Sequence, residues 1–178
     1  MLRPLTRADA PTVASFAADF DVAKMTTRMP HPYGLSDAEA FIDSVAGPPD
    51  DDQAVFGVTH KDDGLVGAIG FHACEDGHPE LGYWIGKPYW GRGFATEAAR
   101  ESLAWARDAW GRRIVFAGHF ADNPASGAVG IRRASSEARM CRALVSIRFS
   151  PEESTCSSLR RERSRTTSAT RKTSPVAI

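Results

Sequence analysis

At 178 residues the chain has the size of one domain and enough length to bury a substantial core. Its 22 basic and 22 acidic residues cancel, so global charge gives no ground for a nucleic-acid or membrane partner. The apolar runs fall short of a membrane span, Met1-Leu2-Arg3-Pro4 lacks a signal-peptide core, and the scattered Cys74, Cys141 and Cys156 make no disulfide framework. Together these features predict a cytoplasmic protein with free thiols.

The zero charge conceals a split. Residues 1–129 hold 11 Lys+Arg and 18 Asp+Glu, a net of −7, whereas residues 130–178 hold 11 and 4, a net of +7. All four tryptophans lie in the first part, and Phe149 is the single aromatic residue of the second.

In chain order, Leu2 to Leu5 reads as a short strand, with Thr6 placed to cap the next element. Apolar residues at Val13, Phe16, Ala17 and Phe20 predict a helix over Pro11 to Phe20, proline being acceptable in the first turn. Met29 to Gly34 is loop. Ser36 and Glu39 have capping-box spacing for a helix through Val45, which Gly47-Pro48-Pro49 ends.

The period then changes. Ala54 to His60, Leu65 to Cys74 and Glu80 to Ile85 alternate like strands, and Asp63-Gly64 and Asp76-Gly77 supply the turns of a three-stranded meander. Ala95 to Trp110 is the strongest helical stretch, with Ala95, Ala98, Ala99, Leu103, Ala106 and Trp110 on one face. Arg113 to Phe120 is a further strand, and Asp122-Asn123-Pro124 caps and starts another helix. The order β-α-α-β-β-β-α-β-α predicts an α+β (mixed α/β layer) fold, a mostly antiparallel sheet flanked by helices.

Between the third hairpin strand and the strongest helix lies Tyr89-Trp90-Gly91-Arg92-Gly93-Phe94-Ala95-Thr96-Glu97-Ala98. A Gly-rich turn opening a helix aims unpaired N–H groups and the positive helix end at one point, which suits phosphate. The loop has neither the Lys-Ser/Thr of a Walker loop nor the third glycine of a Rossmann turn. The local reading is therefore a pyrophosphate cradle of another kind.

Glu80-Leu81-Gly82-Tyr83-Trp84-Ile85-Gly86 followed by that loop resembles the central motif of the GCN5-related N-acetyltransferases (GNAT). The closest resemblance is to the branch that acetylates ribosomal-protein N-termini, with its small-amine relatives. Leu2 to Ala10 and Ala121 to Ser126 fit the same branch, so the resemblance covers roughly residues 2–129. It implies an acetyl-CoA-binding domain over 1–129. Backbone groups around Trp84, Ile85 and Gly86 would meet the pantetheine arm, and Gly91, Arg92, Gly93, Phe94, Ala95 and Thr96 the pyrophosphate. Asn123 and Ser126 would also contact the coenzyme, and Ser126 is the first candidate to protonate the departing thiolate. Trp90 stands where many members carry Gln or Arg.

The implied activity is acetyl transfer from acetyl-CoA to a primary amine, either a protein N-terminus or a small molecule, by direct attack on the thioester. Glu80 is the first candidate base, through a water, against the alternative of a solvent-facing hairpin residue; His72 and His119 are weaker candidates. The rival reading is a non-catalytic or inactive domain that keeps the coenzyme loop.

Other constellations point to blander roles. His72, Cys74 and His78 have metal-binding donor types without structural-zinc spacing, so no metal is expected. Asp50-Asp51-Asp52 reads as a solvated acidic loop. Trp105 and Trp110 read as core or as subunit-contact residues of a homodimer, while Trp84 and Trp90 are divided between packing and lining the acceptor cleft.

Beyond Val129 the pattern stops. Residues 130–178 carry ten serines, five threonines and 11 basic residues with no sustained period, where the resemblance implies a helix and two closing strands. A shifted reading frame near codons 129–130 and a basic, disordered extension both fit this composition. Ala143, Leu144, Val145, Ile147 and Phe149 mark where residues 131–149 would supply a substitute strand.

Overall fold

The computed structural model describes residues 1–74, 77–112, 114–119, 123, 126 and 129, and the backbone of 145–148. Six strands form one sheet in the order β1 to β6: Leu2–Arg3, Gln53–His60, Gly64–Ala73, Pro79–Ile85, Ile114–Ala117 and Val145–Arg148. Every neighbouring pair is antiparallel except β4 and β5, which run parallel. A parallel pair needs a crossover, and the helix Phe94–Asp108 provides it. With Ala10–Ala17 as α1, Phe20–Ala23 as α2 and Leu35–Ser44 as α3, this helix is α4.

The helices divide between the two faces of the sheet. Ala98, Ala99 and Ala106 of α4 pack on Val66, Ile69, Phe71, Leu81, Ile85 and Val115. Small residues on that face let the helix approach the strands closely. On the other face Val13 of α1 and Ala38, Phe41 and Ile42 of α3 pack on Leu65, Ala68 and Trp84. Strand alternation accounts for the split: Leu81 and Ile85 point to α4, while Trp84 points to α1 and α3.

Local chemistry moved several predicted boundaries. The expected helix over Pro11 to Phe20 is broken: α1 ends at Ala17, and α2 starts afresh at Phe20 because the Asp19 carboxylate accepts the Asp21 N–H at 2.8 Å. The cap of α3 is not the Ser36–Glu39 pair. Gly34 precedes the helix, and its N–H donates to the Asp37 carboxylate at 2.8 Å, so the box lies two residues earlier. Thr6 and Asp9 close the first turn: the Thr6 N–H donates to Asp9 at 2.8 Å, and Arg3 clasps the same carboxylate with two bonds of 2.8 and 2.6 Å.

Trp105 and Trp110 stack at 5.6 Å and pack with Phe71, so both serve the α4 side of the core. The acidic loop is clasped from this side. The Trp110 indole donates to the Asp50 carbonyl at 2.8 Å, and Arg112 bonds to Asp51.

On the far edge, β6 pairs with β5 through four residues, Ile114↔Arg148 to Ala117↔Val145. A strand therefore occupies part of the span where a substitute was expected. The expectations for residues 131–144 and 149–178, and for most of the helix after Asp122, lie outside the described residues.

Candidate functional site

The parallel pairing of β4 and β5 is short, running from Glu80↔Phe116 to Leu81↔Ala117. Beyond it β4 continues through Gly82 to Ile85 without a described partner on that side, so the two strands splay. A cavity of about 600 Å³ occupies the region of the splay. Its walls include Tyr83, Trp84 and Ile85 of β4, Gly91 and Gly93 of the loop, Phe94, Ala95 and Thr96 of α4, and Asn123, Ser126 and Val129. Tyr89 and Trp90, with Val22, Met25 and Thr26 in and just after α2, complete it.

The register decides which backbone groups face the opening. The Gly86 N–H donates to the Val66 carbonyl at 2.9 Å, toward β3. Because the polar groups of an antiparallel strand alternate, Gly82 and Trp84 also turn to β3, while Tyr83 and Ile85 turn toward the splay. Of the expected Trp84, Ile85 and Gly86, Ile85 alone presents its backbone there. Tyr83 is the second such residue, which the sequence reading missed. The Ile85 carbonyl already accepts the Trp90 indole at 2.6 Å. Trp84 reaches the cavity by its side chain, and Gly86 is needed for packing: a Cβ there would lie 2.8 Å from the Phe16 ring.

At the opposite wall the loop folds as its glycines require. Gly91 and Gly93 have φ of +73° and +85°, a region L-residues with side chains rarely adopt. Gly93 is the N-cap of α4, and among the described residues no side chain caps this end. The first-turn N–H groups of a 15-residue helix therefore open onto the cavity with the positive end of its dipole. A Cβ on Gly91 or Gly93 would meet no protein atom within 4 Å, so the space beside them is open. Arg92 is not among the lining residues. Its guanidinium stacks over Tyr89 and Phe94, 5.4 and 5.1 Å from the ring centres, and lies 4.0 Å from Asp63.

Asn123 and Ser126 come together as a cap. The Ser126 N–H donates to the Asn123 side-chain carbonyl at 3.2 Å. Ser126 also stands beside the Tyr83 phenol of β4 at the cavity wall. Burial pushes the Tyr83 phenol above its ordinary value, with the Ser126 hydrogen bond opposing, so the phenol keeps its proton at neutral pH.

Glu80 does not line this cavity. It stands where β4 and β5 pair, at the closed end of the splay, with its side chain 15% exposed. His72, directly across on β3, approaches it at 3.7 Å, and the Cys74 thiol donates to it at 3.4 Å. The sequence sets Glu80 apart from His72 and Cys74, and the β3–β4 register joins it to them. His119 is described but does not line the cavity.

Comparisons with known proteins agree with this architecture. A family model described as "Acetyltransferase (GNAT) domain" matches residues 1–132. An N-acetyltransferase of Bacillus subtilis described as uncharacterized, YoaA, is 39% identical over 64 residues, 35% of this chain and 36% of that protein. The chain thus spans about a third of that relative. A GNAT-family acetyltransferase structure from Bacillus anthracis superposes with a TM-score of 0.62 at 23% identity, over 75% of this chain and 80% of that one. The spermidine N-acetyltransferase of Vibrio cholerae, solved with CoA and spermine, gives 0.62 at 16% identity over 82% and 90%. At these identities the superpositions speak for the fold, while the family match covers the loop and both walls of the cavity. The chain belongs to the GNAT acetyltransferase domain family.

Proposed function

We propose that the cavity holds acetyl-CoA and that the protein transfers the acetyl group to a primary amine. The observation that carries this reading is the uncapped N-terminus of α4, which with Gly91 and Gly93 opens onto the splay between β4 and β5. The pyrophosphate sits on the N–H groups of residues 93–96. The pantetheine arm lies along Tyr83 and Ile85, pairing with their backbone as an added strand would.

The amine nitrogen attacks the thioester carbon, the C–N bond forms, and the C–S bond breaks. The amine proton passes to Glu80 through water, and the coenzyme leaves as a thiolate. Ser126 gives the thiolate its proton, with the Tyr83 phenol beside it. The acceptor is either a small amine or a protein N-terminus. The Vibrio cholerae relative solved with CoA and spermine supports the small amine, and the resemblance of Glu80 to Ala98 to the ribosomal-protein branch supports the N-terminus.

Thiol release from acetyl-CoA over a panel of polyamines, small amines and N-terminal peptides tests the reading. Release dependent on one amine class supports it. Coenzyme binding with no release on any acceptor would instead favour a non-catalytic domain that keeps the cradle.

A further inference from the structure

We propose that His72, Cys74 and Glu80 form a site for a borderline-soft divalent cation of the zinc class, at the closed end of the splay. Among the described residues, one potential ligand atom from each of the three lies within 4.8 Å of the other two. Tetrahedral zinc with a thiolate at about 2.3 Å and oxygen or nitrogen at about 2.0 Å puts neighbouring ligand atoms about 3.3–3.5 Å apart. The Cys74 Sγ to Glu80 Oε2 distance is 3.4 Å, and His72 Nε2 to the same oxygen is 3.7 Å. Two edges of the coordination polyhedron therefore already exist, and small rotamer changes suffice to close it.

The backbone explains why they exist. His72 and Glu80 are direct cross-strand partners on one face of the sheet, and Cys74 follows at the end of β3. Strands hold ligands more firmly than loops do. The His72 and Glu80 side chains are 18% and 15% exposed, so the pair is shielded yet reachable. Thiolate, imidazole and carboxylate together suit zinc, cobalt or nickel and disfavour magnesium or calcium, which take oxygen ligands. Three protein ligands leave a fourth position for water.

The consequence for acetyl transfer rests on the function proposed above. A cation on the Glu80 carboxylate occupies the electron pair that would accept the amine proton, so zinc inhibits turnover without displacing acetyl-CoA.

Titration of the full chain with cobalt(II) tests the site independently of catalysis. The expected result is one cobalt bound per chain, with a thiolate-to-cobalt charge-transfer band and tetrahedral d–d bands. Cys74→Ser should abolish the charge-transfer band, while the Cys141→Ser, Cys156→Ser double variant should retain it. His72→Ala should weaken cobalt binding at least about tenfold, with an unchanged circular dichroism spectrum reporting an intact fold. Absence of the thiolate band from the parent protein, or its survival in Cys74→Ser, overturns the proposal. If cobalt binds as expected but saturating zinc leaves amine acetylation unchanged, the cation site stands and the role of Glu80 as proton acceptor fails.

Discussion

Two glycines set the shape of the cradle, each for a backbone reason. At Gly93 the φ of +85° places the residue where a β-branched side chain is most strained, and the neighbouring space is open rather than filled. Gly93→Val therefore distorts the loop and crowds the space where the pyrophosphate would sit. We expect the acetyl-CoA dissociation constant to rise at least tenfold, about 1.4 kcal/mol, as read by calorimetry. An unchanged constant would show that the loop serves something else. The juxtaposition of Tyr83 and Ser126 makes a separate prediction. Ser126→Ala and Tyr83→Phe should each lower kcat by about tenfold to a hundredfold while leaving acetyl-CoA affinity within about twofold. Because the two hydroxyls act as one path, the double variant should fall no further than the worse single one. Additive losses would assign them separate roles.

At the scale of elements, the Arg3–Asp9–Thr6 clasp ties β1 to the start of α1. The Arg3 hydrogen bonds, with help from Thr6, hold the Asp9 carboxyl down from 3.8 to about 2. A folded-state value below the unfolded one gives stability that is complete above about pH 4 and fades as pH falls toward 2. The difference corresponds to at most about 2 kcal/mol, reduced by the exposure of Arg3, whose side chain is 37% accessible. Asp9→Asn should lower stability near neutral pH and flatten its decline between pH 4 and 2, as followed by urea unfolding across pH. Parallel curves for the two proteins would mean that the clasp adds nothing. Elements of this kind were only partly legible in the sequence. The strands and α4 announced themselves through alternation and through an alanine-rich face. The break after Ala17 and the Gly34–Asp37 cap did not, because a short side chain reaching a nearby N–H leaves no periodic trace.

For the whole molecule, the splay between β4 and β5 turns a sheet into a receptor, and α4 aims its positive end into the gap. The sequence motif carried the loop and α4 because both are local. It could not carry the partnership of Tyr83 with Ser126 or of His72 with Glu80, since register and crossover bring those residues together. The pairing of β6 with β5 likewise joins distant parts of the chain. The central claim is that this gap is a coenzyme A site, and calorimetric titration of the full chain with acetyl-CoA tests it most directly. One site per chain is expected, with affinity weakened at least tenfold in Gly93→Val. Failure of the parent protein to bind acetyl-CoA at all would contradict the claim.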